Sequence, residues 1–203
     1  MPDLVRTFAG LEIPPETKDA IGKFCDEMCE RPGGRELKWV RPAILHVTVR
    51  FFGDLDRKRL DRAREAIASL DQAWDPPDLL LGEVGAFPSL RRPQVLWLGI
   101  EDPSGGLAAL ADQTDRAIRH VGFGHADKPF VGHLTLARVS RNRRAPDMEG
   151  LTSGLTPPRG ALTIRCITLF QSELRADGPI YTPLVVAQPR SRPATPGDRA
   201  VDR

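Results

Sequence analysis

His46-Val47-Thr48-Val49-Arg50-Phe51-Phe52-Gly53 and His133-Leu134-Thr135-Leu136-Ala137-Arg138-Val139 are the two stretches on which this chain turns. Both are rich in β-branched, aliphatic and aromatic residues, which suit a pleated, half-buried strand. Both open on His-x-Thr-x with apolar residues at the x positions. Alternate side chains of a strand share a face. Strict alternation therefore predicts His46, Thr48 and Arg50 on one face, with Val47, Val49 and Phe51 turned into a core. His133 and Thr135 are predicted together in the same way, against Leu134 and Leu136.

The surroundings of the two stretches repeat one order. Leu4 to Leu11 reads as a strand. Pro14-Pro15-Glu16 opens a helix, because proline is tolerated in the first turn and acids favour that end. Ile21, Phe24, Cys25 and Met28 give that helix one apolar face, and Pro32-Gly33-Gly34 stops it. Leu37 to Val40 is short and extended. The strand from Leu45 to Phe52 ends at Gly53, and Asp54 is placed to cap a second helix carrying Leu60, Ala63, Ile67 and Leu70. Asp75-Pro76-Pro77-Asp78 is a turn before an extended stretch, Leu79 to Val84. A strand from Val95 to Ile100, a helix after Gly105-Gly106 and a strand from Phe130 to Val139 follow. Residues 140–160 read as loop with a short helical piece. Leu162 to Leu174 and Tyr181 to Ala187 complete the sheet.

Strand, helix and histidine-bearing strand thus occur twice. The period is too long for a solenoid. It fits an α+β fold: a bilobal, pseudo-twofold duplication of antiparallel sheets with flanking helices and a cleft between the lobes. Residues 1–187 are expected to form one domain. The Pro-, Arg- and Ser-containing segment 188–203 is expected to be a disordered tail.

Composition narrows the function classes. The 203 residues are 40% apolar and 28% charged, as in an ordinary globular protein. No window approaches 18 consecutive apolar residues, so no membrane span is expected. Asp3 stands where a secretory signal carries base, and no apolar core follows it, so a cytoplasmic location is expected. Three cysteines do not make a disulfide framework. Cys25 and Cys29 lack a second pair at metal-ligand spacing and read as packed helix residues. The charged run from Asp56 to Arg59 reads as a solvated helix face. Net charge is only +2, but arginines number 24 against five lysines. A guanidinium fork suits phosphate, although genomic base composition produces the same bias. No Gly-x-Ser-x-Gly elbow and no phosphate-binding Gly-x-x-x-x-Gly-Lys loop is present.

Two imidazoles and two hydroxyls facing one cleft suit phosphodiester cleavage. One neutral imidazole takes a proton from water, and one protonated imidazole gives a proton to the leaving oxygen. Histidine's ordinary pKa makes both forms accessible near neutrality. His46 and His133 are therefore the candidate catalytic pair, with Thr48 and Thr135 donating to phosphate oxygens. Two histidines leave a metal site without a third ligand, so no metal and no cofactor are expected. Phe8, Phe52 and Phe130 are candidates to stack on a base. Arg50 is placed beside the motif as a substrate contact, and Arg141-Asn142-Arg143-Arg144 as a backbone contact. His120 and His125 read as surface or helix-end residues.

At these residues the chain resembles the two-histidine (2H) phosphoesterases, and within them the RNA 2′,3′-cyclic phosphodiesterases, also called 2′-5′ RNA ligases. The resemblance runs through Arg6 to Pro14, His46 to Gly53, Val95 to Gly99, His133 to Arg138 and Tyr181 to Leu184. It implies hydrolysis of the 2′,3′-cyclic phosphate end of an RNA or nucleotide to a 2′-phosphate. It implies His46 as proton donor, His133 as base and Arg138 as a phosphate ligand, with no membrane and no obligate protein partner. Joining of RNA ends by the reverse reaction, or a binding module of the same fold without activity, are the alternatives. Gly132 departs from the family's usual proline, which predicts a freer entry to the second histidine strand.

Overall fold

The computed structural model describes residues 4–140, 146–175 and 178–190. Among them, nine strands form one antiparallel sheet: β1 (Val5–Glu12), β2 (Leu37–Trp39), β3 (His46–Leu55), β4 (Leu79–Phe87), β5 (Val95–Glu101), β6 (His133–Val139), β7 (Ala161–Leu162), β8 (Cys166–Arg175) and β9 (Gly178–Ala187). The order across the sheet is β7-β4-β5-β6-β3-β1-β8-β9, with β2 on β6. The histidine strands are therefore the two central ones. β3 and β6 meet through the residue pair Val47–Leu134, and the sheet opens to either side. One half holds β3-β1-β8-β9, the other β6-β5-β4-β7. Prolines 179 and 183 sit on β9, an edge strand where a missing N–H is tolerated.

The helices are α1 (Pro15–Cys29), α2 (Arg57–Ala68), α3 (Gly106–His120) and the short α4 (Met148–Thr152). Ile21, Phe24, Cys25 and Met28 are buried on α1, as periodicity requires. Leu107, Leu110, Ala111, Thr114 and Ile118 are buried on α3. Helix α2 lies against β1, β3, β8 and β9, and α3 lies against α2 and β3. Val47, Leu134, Leu136, Leu96 and Leu98 join the same core, each 1% exposed or less. The opposite sheet face carries the histidines and forms the cleft.

Several boundaries differ from the sequence reading. Strand β3 does not stop at Gly53. It takes a bulge there, with Gly53 at φ 72° opposite Thr7, and continues to Leu55. The cap of α2 is consequently Asp56, whose carboxylate accepts from the Arg59 amide at 2.8 Å, and not Asp54. Such a cap contributes about 1 kcal/mol. The second histidine strand starts at His133, three residues after Phe130. The C-terminal segment stays attached beyond Ala187. The Gln188 amide donates to Asp71, and Arg190 reaches Asp75 and the Trp74 carbonyl. Those anchors explain why residues 188–190 do not share the expected tail. The remainder, 191–203, and the basic run 141–144 lie outside the described residues.

The Val47–Leu134 contact joins the halves, so truncation there should be costly. Leu134→Ala is expected to lower unfolding free energy by about 2–5 kcal/mol in urea denaturation. A change below about 1 kcal/mol would mean that the halves are held together elsewhere.

Candidate active site

The antiparallel register around Val47–Leu134 crosses the two motifs. His46 lies opposite Thr135, and Thr48 lies opposite His133. Since Val47 and Leu134 point into the core, all four polar side chains lie on the opposite face of the sheet, where His46, Thr48 and Thr135 line the cleft. The duplication read from the sequence thus becomes a single constellation, with each imidazole beside the other strand's hydroxyl.

Both histidines are oriented by one local device. His46 Nδ1 donates to the Ile44 carbonyl at 2.8 Å, and His133 Nδ1 donates to the Val131 carbonyl at 2.7 Å. A proton held on Nδ1 leaves Nε2 as the reactive nitrogen. His46 Nε2 is 3.0 Å from the Thr48 hydroxyl. A β-carbon at Gly132 would lie 2.7 Å from a terminal carbon of Leu107 on α3, which would have to shift to admit a side chain.

Aromatic rings back each imidazole. Phe8 lies 4.7 Å from the His46 ring centroid, with Tyr181 edge-on at 5.3 Å. Phe87 meets His133 edge-on at 5.0 Å. Removal from water lowers the pKa of both histidines. His46 is pushed down to about 4, chiefly by burial. The Ile44 carbonyl opposes this, Lys18 and Arg138 add to it, and Glu12 opposes it. His133 is lowered by burial first, with the Val131 carbonyl opposing and Arg138 adding. Burial also raises Tyr181, against the opposing charges of Arg138 and Arg6.

A β-bulge follows each motif and resets the alternation. In β3, Gly10 pairs with Thr48 but Ala9 with Arg50, so Val49 is the extra residue. In β6, Trp97 pairs with Thr135 but Leu96 with Ala137, so Leu136 is extra. The fifth residue after each histidine therefore returns to the cleft: Phe51 in one half, Arg138 in the other. Arg138 lines the cleft for this reason, while Ala137 turns into the core.

The same bulge overturns the expectation for Arg50. Its guanidinium bonds Asp115 at 2.8 Å and the carbonyls of Gly124 and His125, and its side chain is only 11% exposed. It fastens α3 and its following loop to β3. Phe51, expected in the core, is 51% exposed on the cleft face. Phe8 is 0% exposed, packed beneath His46 and Phe51, and cannot meet a base. Phe130 packs against the core, outside the cleft lining, and Phe52 packs on Phe123.

The cleft beside His46 encloses about 500 Å³ and is lined in part by Lys38, Arg41, Arg138 and Arg175. Four cations around an open cavity attract an anion. Lys38, Arg41 and Arg175 escaped the sequence reading because nothing in their local pattern distinguishes them from other surface bases. Among the described residues no three of His, Cys, Asp and Glu group closely enough to hold a metal ion, and no helix is long and apolar enough to cross a membrane. Cys25 is buried in the core, its thiol pushed up to about 12.

The family profile described as LigT like Phosphoesterase matches residues 11–97 and again residues 98–181. This chain belongs to the LigT-like phosphoesterase family. The second match starts 87 residues after the first, the same interval that separates His133 from His46. A relative from Aquifex aeolicus named RNA 2′,3′-cyclic phosphodiesterase is 30% identical over 180 residues, 88% of this chain and 94% of its own length. One of the same name from Methanothermobacter thermautotrophicus is 28% identical over 183 residues, 90% of this chain and 97% of its own. Among solved structures, E. coli LigT complexed with 3′-AMP superposes with a TM-score of 0.72 at 22% identity, covering 93% of this chain and all of that one. The protein TT0787 of Thermus thermophilus gives 0.72 at 27% identity over 91% of this chain and 98% of its own. The likeness to LigT is one of fold.

Burial of His46 has a consequence for stability. Its folded pKa of about 4 lies below the ordinary 6.5, so the unfolded chain binds more protons between these values. The contribution is complete above pH 6.5 and is lost as pH falls toward 4. On moving from pH 7 to pH 4.5, wild type is expected to lose more stability than His46→Asn in urea titrations. Equal losses would show that the imidazole is not held dry.

Proposed function

We propose that this phosphoesterase hydrolyses 2′,3′-cyclic phosphate ends of RNA to 2′-phosphates, by acid–base catalysis between two histidines without a metal. The observation that carries the reading is the crossed register at Val47–Leu134, which puts both histidines and both threonines on the sheet face where His46, Thr48 and Thr135 line a cation-lined cleft. The names of the relatives from Aquifex and Methanothermobacter supply the substrate class. The two halves act as one catalytic domain.

The uneven cleft gives the substrate a direction. Arg138 and Phe51 occupy matching positions, so a guanidinium stands at one fifth position and an aromatic ring at the other. The phosphate lies toward Arg138, and the nucleoside lies toward Phe51 on the His46 side. His46 is then nearest the departing 3′ oxygen and His133 nearest the incoming water. His133 Nε2 takes a proton as the water oxygen bonds to phosphorus. The bond from phosphorus to the 3′ oxygen breaks, and His46 Nε2 delivers the proton that oxygen needs. Thr48 and Thr135 donate to the non-bridging oxygens, where charge accumulates. The anionic substrate itself raises the proton affinity of His46, which burial keeps low.

Hydrolysis of a cyclic 2′,3′-nucleotide, followed by ³¹P NMR, tests this. His46→Ala and His133→Ala are each expected to lower kcat/KM by at least about 100-fold. A chelator should leave the rate unchanged. Wild-type activity in either variant, or abolition by the chelator, overturns the mechanism.

The pH dependence is a separate outcome. Both imidazoles are lowered in the free protein, so the kcat/KM bell should centre below pH 6.5. The kcat profile should lie at higher pH, because bound phosphate favours the imidazolium. A kcat/KM optimum above pH 7.5 would contradict the account.

A further inference from the structure

The duplication is uneven beside the histidines. Register equates each residue of β1 and β3 with one 87 positions later on β5 and β6. Glu12 stands opposite His46, whereas Gly99 stands opposite His133. One imidazole therefore faces a carboxylate across the ladder, and its counterpart faces a residue without a side chain.

The Glu12 carboxylate is fixed in place. Thr168 on β8, itself fully buried, donates its hydroxyl to Glu12 Oε1 at 2.6 Å, and the Cys166 thiol lies 3.5 Å from that hydroxyl. Gly10 occupies the β1 position between Glu12 and Phe8. A β-carbon there would approach His46 Cδ2 to 3.0 Å, so the imidazole leans over β1, the strand that carries Glu12. Glu12 and His46 are both partly buried, where a charge is weakly screened.

We propose that Glu12 is a positioning residue, whose anchored negative charge opposes the loss of a proton from His46 and has no counterpart at His133. This rests on the proposed acid–base reading and adds to it what makes the two imidazoles unequal. The charged and titratable groups facing His46 are Glu12 on β1, Lys18 on α1, Arg138 on β6 and Tyr181 on β9. Lys18 and Arg138 disfavour the imidazolium, and Tyr181 presents an aromatic edge. Glu12 is the anion of the set. Around His133 the named charge is Arg138, which disfavours the imidazolium there too. With its carboxylate, His46 is the imidazole that can regain a proton when an anionic phosphate arrives. His133 stays neutral, as a base must.

Glu12→Gln removes the charge and retains an oxygen for Thr168. NMR titration of the two imidazoles is expected to lower the His46 midpoint by about one unit and leave His133 in place. In cyclic-nucleotide hydrolysis the descending limb of kcat/KM should move to lower pH. The rate at pH 7 should fall by about tenfold, and the low-pH maximum should stay within about twofold of wild type. Glu12→Asp should restore most of the loss. An unmoved His46 midpoint, equal movement of both histidines, or a rate loss uniform across pH would overturn the proposal. The titration needs no turnover, so a chain inactive on cyclic phosphates would refute the proposed function separately from the role of Glu12.

Discussion

Val47 and Leu134 form the bridge through which the two halves of the sheet share one hydrogen-bonded surface. Their side chains enter the core, so their neighbours in sequence have to leave it. That constraint crosses the motifs, setting His46 against Thr135 and Thr48 against His133. Everything further along either strand depends on the bulge that comes next. Without the extra residues Val49 and Leu136, the cleft would receive Arg50 and Ala137, and Phe51 and Arg138 would turn away from it. The bulges convert a symmetric scaffold into an asymmetric cleft, with an aromatic ring at one fifth position and a guanidinium at the other.

Packing and electrostatics are coupled at this surface. The rings that hold each imidazole in place also exclude water from it, which disfavours the imidazolium. A polar backing would keep a proton more readily but would leave the rings less well oriented. The protein combines partly buried imidazoles with Lys38, Arg41, Arg138 and Arg175 around the mouth. The cations favour arrival of an anion, and the anion in turn favours the charged imidazole. Proton affinity at His46 is thus tied to occupancy of the cleft. Carbonyl groups two residues before each histidine hold Nδ1 and leave Nε2 as the other ring nitrogen.

Much of this was legible in the amino acids, and the failures share a cause. The period-two alternation through His46-Val47-Thr48 and His133-Leu134-Thr135 put each histidine and threonine on one face, and the helical periodicity of α1 placed its buried face. The repeated order of strand, helix and histidine strand pointed to the duplication. Alternation fails one residue beyond each threonine, because a bulge is set by pairing with the neighbouring strand and leaves no local mark at Val49 or Leu136. Arg50 was therefore assigned to the cleft and Phe51 to the core, and the structure reverses both. Phe8 shows a second limit. An aromatic residue near the motif could stack on a ligand or support a histidine from below, and only burial distinguishes them. Asp54 reads as the helix cap because Gly53 looks like a strand end, whereas it is a bulge at positive φ and the cap is Asp56. Gly132 became intelligible only with Leu107 placed against it.

The account rests on one phosphorus atom being reached by both histidines at once. A crystal structure with a nucleoside–vanadate mimic of the transition state measures this directly. Both Nε2 atoms should lie within hydrogen-bond distance of opposite apical oxygens, with Thr48 and Thr135 at the equatorial ones. A mimic bound to a single imidazole, with the other ring turned from the vanadium or beyond reach of its ligands, would contradict it.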